Sequence, residues 1–157
     1  MGRRKIIVNL NMAIREEWIN YVHELQDRIC SSLEEIDGKA GFSEDIWQRP
    51  EGGGGRSRVI AEGDVFEKAG VNTSVVFGDV TAAMREQLKM DGSQWFACGL
   101  SLVIHPRNPF VPTVHCNYRM FELFNAEQKL LDRWFGGGAD LTPYYLREED
   151  ASHFHGV

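Results

Sequence analysis

The feature that most constrains this chain is a long central region in which β-prone segments follow one another through short turns. The segments are Arg58 to Ala61, Val65 to Lys68, Val71 to Phe77, Trp95 to Ile104, Thr113 to Leu123 and a last one that starts at Trp134. Glu62-Gly63-Asp64 has the glycine expected in a hairpin turn. Strands joined by short turns favour an antiparallel sheet.

Helical patterns flank and interrupt this region. Apolar residues recur at spacings of three and four from Arg15 to Ile36, which predicts an amphipathic helix that ends near Gly38. A short helix is expected from Thr81 to Met90, capped by Thr81 or Asp79, and another begins at Arg147 and runs to His155. The predicted fold class is α+β, an antiparallel sheet with helices packed on it.

Two glycine runs stand out. Gly52 to Gly55 cannot form a stable helix, so we expect either a flexible loop or a place where backbone approaches something closely. Gly136 to Gly138 interrupts the strand that begins at Trp134, and we expect a turn there that presents Asp140.

Composition excludes several classes of protein. The 157 residues are 43% apolar and 25% charged, as in ordinary globular proteins, and the formal net charge of −6 gives no general footprint for nucleic acid. No apolar run approaches the length of a membrane span, and the N-terminal apolar stretch is too short for a secretory signal. The three cysteines have no disulfide or zinc spacing, which predicts reduced thiols and a cytoplasmic protein.

The stretch from His105 to Arg119 is the first candidate site. Three of the five prolines stiffen it, and it connects two predicted strands. At a period of two, His115, Asn117 and Arg119 share one face of the second strand. The alternative interpretation is a solvated hairpin loop with incidental polar residues.

Three further groups are weaker candidates. Asp140 could act as a general base or hydrogen-bond anchor, or simply cap a helix near Thr142. Arg56 and Arg58 beside the first glycine run could cradle a carboxylate or phosphate. His153 and His155 are two apart, so a helix would point them in different directions.

Four strings, in this order along the chain, resemble the oxygen-dependent coproporphyrinogen III oxidases. They are WQRPEGGGGRSR at 47–58, VFEKAGVN at 65–72, the 105–119 stretch, and WFGGGADLTP at 134–143. The resemblance covers about Ile36 to His155. Chains of this family are about twice as long, so residues 1–157 are expected to be the N-terminal part of a single domain, and the large sheet is expected to be incomplete here.

The resemblance implies a large antiparallel sheet covered by helices on both sides, in a homodimer whose interface includes Val59 to Lys68. It implies oxidative decarboxylation of two propionates of coproporphyrinogen III to the vinyl groups of protoporphyrinogen IX. Dioxygen is the co-substrate, and no organic cofactor or metal is expected.

The resemblance also implies roles for individual residues. His115 matches a proton donor, Asp140 an acidic residue that holds pyrrole N–H groups, and Ser101 a substrate-binding serine. Asn117, Tyr118 and Arg119 match a substrate-binding triplet. Arg119, together with Arg107, is suited to pair with the substrate's carboxylates.

Two alternatives remain open at this point. Some bacterial-type members of the family have metal ligands at the positions of His105, His115 and His153. Alternatively, the chain is a catalytically incomplete fragment that binds a tetrapyrrole or dimerises.

Overall fold

The computed structural model describes residues 2–89 and 91–157, with side chains for residues 13–87, 89 and 91–157. The helices are α1 (Gly2–Asp37), α2 (Ala82–Leu88) and α3 (Glu148–Gly156). The strands are β1 (Ser43–Gln48), β2 (Gly53–Ala61), β3 (Phe66–Asp79), β4 (Gln94–Pro106), β5 (Thr113–Phe124) and β6 (Leu130–Thr142).

The strands form one antiparallel sheet in the order β1-β2-β3-β4-β5-β6, so each strand pairs with its neighbours in sequence. This meander confirms the predicted α+β class, and the short connections account for it. In the described part of the chain, β1 and β6 are the edge strands. The sheet therefore needs no long crossover to assemble.

Helix α1 packs across one face of the sheet and closes the core. Val22, Cys30 and Leu33 of the helix are buried against strand residues, listed here: Ile60, Ala69, Val71, Phe96, Cys98, Leu100, Leu102 and Met120. Burial of each large aliphatic side chain contributes roughly 1.5–3 kcal/mol. The helix predicted from Arg15 to Ile36 is confirmed, and the observed helix begins earlier along the chain.

A buried amide fastens α1 to the middle of the sheet. The Nε2 atom of Gln26 donates to the carbonyl oxygens of Arg56, at 2.8 Å, and Val71, at 2.7 Å. Its Oε1 accepts from Arg56 Nε at 2.6 Å and from Thr73 Oγ1 at 3.2 Å. Because all of these hydrogen bonds are made inside the protein, the buried amide carries no unsatisfied polar atom.

The prediction of a flexible loop at the first glycine run, Gly52 to Gly55, was wrong. The alternative prediction, that the backbone there closely approaches another part of the protein, is confirmed. Gly53 to Gly55 begin β2 and pair with β3, and Gly54 and Gly55 also pair with β1. Gly53 has φ +82, and a Cβ there would lie 2.2 Å from the carbonyl oxygen of Val75. Glycine is needed here because any side chain would collide with the neighbouring strand.

Three other strand predictions need correction. β1 was not predicted, because its mixed aromatic and charged residues are largely exposed and show no clear alternation. Residues 66–68 of the first predicted segment and Val71–Phe77 belong to one long strand, β3, which runs through Gly70, and Val65 precedes it in the turn. Gly136 to Gly138 lie within β6 and do not form a turn.

The predictions for α2 and α3 are confirmed. Thr81 caps α2 by accepting a hydrogen bond from the Met84 amide at 3.2 Å, and Lys89 ends the helix in the left-handed region. Met90, the last residue of that predicted helix, lies outside the described residues. α3 starts after Arg147 and has three acidic residues in its first turn, as expected for a helix N-terminus. Within the described ranges, no helix is long and apolar enough to cross a membrane.

Candidate active site

The sheet face opposite α1 carries a row of short polar side chains. The register pairs Asn72 with Ser101 and Ser101 with Asn117, so these three residues lie side by side on β3, β4 and β5. Facing residues of antiparallel strands project to the same side of a sheet. Asn72 is exposed, while Ser101 and Asn117 are half-buried. The predicted site residues Ser101 and Asn117 therefore adjoin each other.

His115 and Asp140 form a pair beside this row. They face each other directly across β5 and β6, and His115 Nδ1 lies 2.8 Å from Asp140 Oδ2. The side chains are 34% and 60% exposed, so both are accessible to a ligand. A carboxylate that accepts from Nδ1 fixes the tautomer of the ring and leaves Nε2 for a ligand.

Arg119 lies on the other side of Asn117, on the same face. Its register neighbours are Gly99 on β4 and Gly136 on β6, so neither directly facing residue has a side chain. Arg119 is exposed, and within residues 13–87, 89 and 91–157 no ion pair joins it to a carboxylate. Such a guanidinium can accept an anionic ligand without first breaking an internal pair.

A cleft of about 400 Å³ opens on this face of the sheet. Its walls include two predicted site residues, Ser101 and Arg119. The other lining residues are Trp47, Asn72, Thr73, Ser74, Val76, Ala97, Cys98, Gly99 and Leu100. Sequence reasoning gave no role to Trp47, Asn72 or Ser74, although Trp47 and Asn72 occur in the motif strings. Their role in the cleft depends on register, which those strings do not contain.

Several candidate residues are used elsewhere in the fold. Arg107 Nε donates to the Gly63 carbonyl oxygen at 2.7 Å. This side chain therefore stabilises the β2–β3 turn and does not pair with a ligand carboxylate together with Arg119. The anion cradle predicted at Arg56 and Arg58 was wrong as stated, because both guanidinium groups pair with Asp27, each at 2.7 Å. Tyr118 lies on the opposite face of β5 from Asn117 and Arg119 and is exposed.

The histidines of the metal alternative are not gathered into a ligand cluster. His105 Nδ1 lies 3.4 Å from Thr113 Oγ1, His115 is paired with Asp140, and His153 is on α3. Among the residues that the structure describes, no group of three His, Cys, Asp or Glu side chains could hold a metal ion. The side chains present therefore do not fit that ligand set, and no chemical step is assigned to a metal.

The three cysteines are free, and two of them are buried. Burial raises the pKa of Cys98 to about 12 and also raises the pKa values of Cys30 and Cys116. A thiol with a raised pKa is a poor nucleophile at neutral pH, because only the thiolate reacts. The site's polar chemistry therefore rests on His115, Asp140 and Arg119.

An antiparallel sheet that presents an arginine near a histidine–carboxylate pair, on the face opposite α1, is a candidate site for an anionic ligand. The family model described as coproporphyrinogen III oxidase matches residues 17–157. The chain belongs to the coproporphyrinogen III oxidase family.

Curated relatives give a consistent comparison. The chain is 52% identical over 143 residues to an oxygen-dependent coproporphyrinogen-III oxidase of Prochlorococcus marinus strain MIT 9515, covering 90% of this chain and 40% of the relative. It is 52% identical over 143 residues to the protein of that description from Synechococcus strain CC9902, covering 90% of this chain and 38% of the relative. The chain thus spans about 40% of the length of the relatives it matches.

Proposed function

We propose that this chain is the N-terminal part of a single oxygen-dependent coproporphyrinogen III oxidase domain and supplies one side of its active site. The observation that carries the proposal is the shared face of Ser101, Asn117 and Arg119 next to the His115–Asp140 pair. Family membership and the relatives' descriptions supply the substrate and the reaction.

The proposed reaction removes two propionate carboxyl groups from coproporphyrinogen III. In each step, a –CH2CH2COOH side chain and O2 give –CH=CH2, CO2 and H2O2. The carbon–carboxyl bond breaks, and its electron pair forms the vinyl double bond. The β-carbon loses a hydrogen with its electron pair, dioxygen takes up those two electrons, and two protons complete the hydrogen peroxide.

The predicted site residues on the face opposite α1 each have a role in this proposal. Arg119 pairs with a propionate carboxylate, bidentately where the guanidinium plane allows. Asp140 accepts a hydrogen bond from a pyrrole N–H, which raises the electron density of the ring that reacts with oxygen. His115, oriented by Asp140, acts as the proton donor. Ser101 and Asn117 bind substrate from this face, whereas the Tyr118 side chain lies on the other face of β5, so Tyr118 is assigned no side-chain contact in the cleft. No organic cofactor is required.

The test is oxygen uptake with coproporphyrinogen III by a full-length protein that contains this segment. Asp140→Ala and Arg119→Ala should each lower kcat/KM by about 10²-fold or more, as expected for lost acid–base or positioning groups. Phe110→Ala, an exposed loop position outside the cleft lining, is the control for general damage. Near-wild-type turnover in both site variants would overturn the proposal.

A second candidate function is a fragment that binds a tetrapyrrole or dimerises without turnover. It is supported by the limited share of the relatives' length that the chain spans. In this case the 157-residue chain should bind coproporphyrinogen under anaerobic conditions but consume no oxygen on exposure to air. Oxygen consumption by the isolated chain at the rate of the full-length protein would exclude this reading.

The quaternary structure and location are also proposals. In the homodimer, the segment Val59 to Lys68 forms part of the interface, and helices from the rest of the domain cover the sheet face opposite α1. Sedimentation of the full-length protein should give twice the protomer mass. The free thiols are compatible with a reducing compartment, and we place the enzyme in the cytoplasm.

A further inference from the structure

The indole of Trp47, which lines the cleft, packs against a glycine of the neighbouring strand. Trp47 on β1 faces Gly55 on β2, and a Cβ on Gly55 would lie 2.3 Å from Trp47 Cζ2. The indole Nε1 donates to Ser57 Oγ at 3.1 Å. The missing side chain and the hydrogen bond together define one position for the ring. Trp47 is half-buried, so part of this fixed ring still faces the cleft.

The same register row continues across the sheet to Arg119. Gly55 faces Ser74, Ser74 faces Gly99, and Gly99 faces Arg119. The row therefore has a long side chain at each end and three small residues between them. Three strand intervals separate Gly55 from Arg119, a distance of about 14 Å at the usual strand spacing. This floor suits a ligand of several rings better than a single small ring.

The two ends of the row differ in chemistry. Arg119 offers charged hydrogen-bond donors, whereas Trp47 offers an apolar aromatic surface whose only polar atom is already bonded to Ser57. A ligand with carboxylates on an apolar ring system would place a carboxylate at Arg119 and ring atoms against Trp47. Val76 and Ala97 add apolar surface beside the floor.

We propose that Trp47 is a substrate-contacting residue that positions the tetrapyrrole across the cleft, and that Ser57 is a positioning residue that acts through it. This inference rests on the proposed function, because it takes the porphyrinogen as the ligand. The contact is made with bound substrate before and during reaction, so its loss weakens binding uniformly. Uniform binding loss raises KM and leaves kcat nearly unchanged.

Trp95 provides a matched control on the same face of the sheet. Its ring lies over Gly78, where a Cβ would lie 3.6 Å from Trp95 Cζ2, and its Nε1 donates to the Asp79 carbonyl oxygen at 3.1 Å. Trp95 does not line the cleft. A Trp95 variant therefore removes an equivalent indole without touching the proposed ligand surface.

The experiment compares steady-state oxygen uptake of full-length protein carrying Trp47→Leu, Trp47→Phe, Ser57→Ala or Trp95→Leu. Trp47→Leu should raise KM for coproporphyrinogen III about tenfold with kcat within about twofold, an effect in the range of one lost aromatic contact. Trp47→Phe and Ser57→Ala should raise KM about threefold, and Trp95→Leu should leave KM unchanged. If Trp47→Leu does not fold, as judged by its melting transition, the two milder variants carry the test.

A second readout follows the indole directly. Coproporphyrin III, the oxidised and non-reacting form of the ring, should quench tryptophan fluorescence less in Trp47→Phe than in wild type. Unchanged KM and unchanged quenching in the Trp47 variants would overturn the inference. If the wild-type enzyme is active in that experiment, the proposed function still holds. A wild-type full-length enzyme without oxygen uptake would instead remove the proposed function.

Discussion

His115 Nδ1 and Asp140 Oδ2 are 2.8 Å apart, across the pairing of β5 with β6. The two residues are separated by 25 positions in sequence, and a strand register brings them together. The carboxylate restricts the imidazole to one orientation. In the proposed reaction the Asp140 carboxylate also accepts a hydrogen bond from a pyrrole N–H.

This pairing predicts non-additive kinetics in a full-length enzyme. Asp140→Asn should lower kcat/KM by about 10²-fold, and His115→Gln by a similar factor, because each change removes a proton-transfer or orienting group. The double variant should lose much less than the product of the two factors, since residues that act as a unit are not additive. Steady-state oxygen uptake measures all three. Fully multiplicative losses would show that the two side chains act independently.

We expect a large loss of stability when the charge of the buried Glu122 side chain is removed. Its side chain is 1% exposed and lies between Arg15, whose Nε is 2.7 Å away, and Arg133, whose Nε is 2.8 Å away. Glu122→Gln should lower the free energy of unfolding by about 3–5 kcal/mol, because the two arginines lose a shared buried counter-ion. Urea unfolding of the 157-residue chain measures the change.

The matched control for that substitution is Glu127→Gln. Glu127 is exposed in the turn between β5 and β6, so its change should stay within about 0.5 kcal/mol. Equal effects of the two substitutions would mean that Glu122 contributes no more than a surface carboxylate.

We expect the contact that Asp37 makes between the end of α1 and the β2–β3 turn to be sensitive to acid. Its carboxylate accepts hydrogen bonds from the amides of Ala40, Asp64, Val65 and Phe66, at 2.9 to 3.1 Å. These bonds hold its pKa well below the usual range. A depressed folded-state pKa adds stability above the unfolded-state pKa, and this contribution is lost as the pH falls below about 4.

Thermal melts between neutral pH and pH 2 check this. Asp37→Asn should lower Tm at neutral pH and flatten its decline below about pH 4. Asp64→Asn is the control, because Asp64 lies in the same turn, is exposed and pairs with Lys39 at 2.9 Å. An identical acid profile in wild type and Asp37→Asn would contradict the assignment.

We expect the Cys98 thiol to be protected from alkylation in the folded chain. It is 2% exposed, and its pKa of about 12 makes the thiolate fraction at pH 8 roughly a thousandfold smaller than for a free cysteine. Iodoacetamide at pH 8 should therefore label Cys98 only after unfolding in urea, as read by peptide mass spectrometry. Cys116 is half-buried and should be labelled before Cys98. Rapid labelling of Cys98 in the folded protein would show that β4 opens readily.

Much of the fold could be predicted from local pattern. The spacing of apolar residues gave α1, and the strand-and-turn succession gave the meander, because both depend on neighbours in sequence. β1 was missed because an edge strand with exposed side chains leaves little hydrophobic alternation. The glycine runs misled the prediction because glycine lowers strand propensity, yet close contact between strands at Gly53 and Gly55 requires it.

The candidate site divides in the same way. The period of β5 put His115, Asn117 and Arg119 on one face, the glycine pattern singled out Asp140, and the resemblance added Ser101. The partnership of His115 with Asp140, the commitment of Arg107 to the β2–β3 turn and the ion pairs of Arg56 and Arg58 were not predictable. Each depends on which residues of distant segments become neighbours.

The sequence by itself determined the family, the α+β class and the types of side chain available for binding a carboxylated ligand. The family follows from the resemblance of the four motif strings, and the class and side-chain types follow from local spacing and residue chemistry, which need no knowledge of distant contacts. The tertiary structure decided which of the four candidate site arginines has no ion pair within the described residues, namely Arg119, and on which face of the sheet it lies. It also set Trp47 over Gly55, opposite Arg119. The physical reason is register: a shift of one residue between strands would move every one of these side chains to the other face.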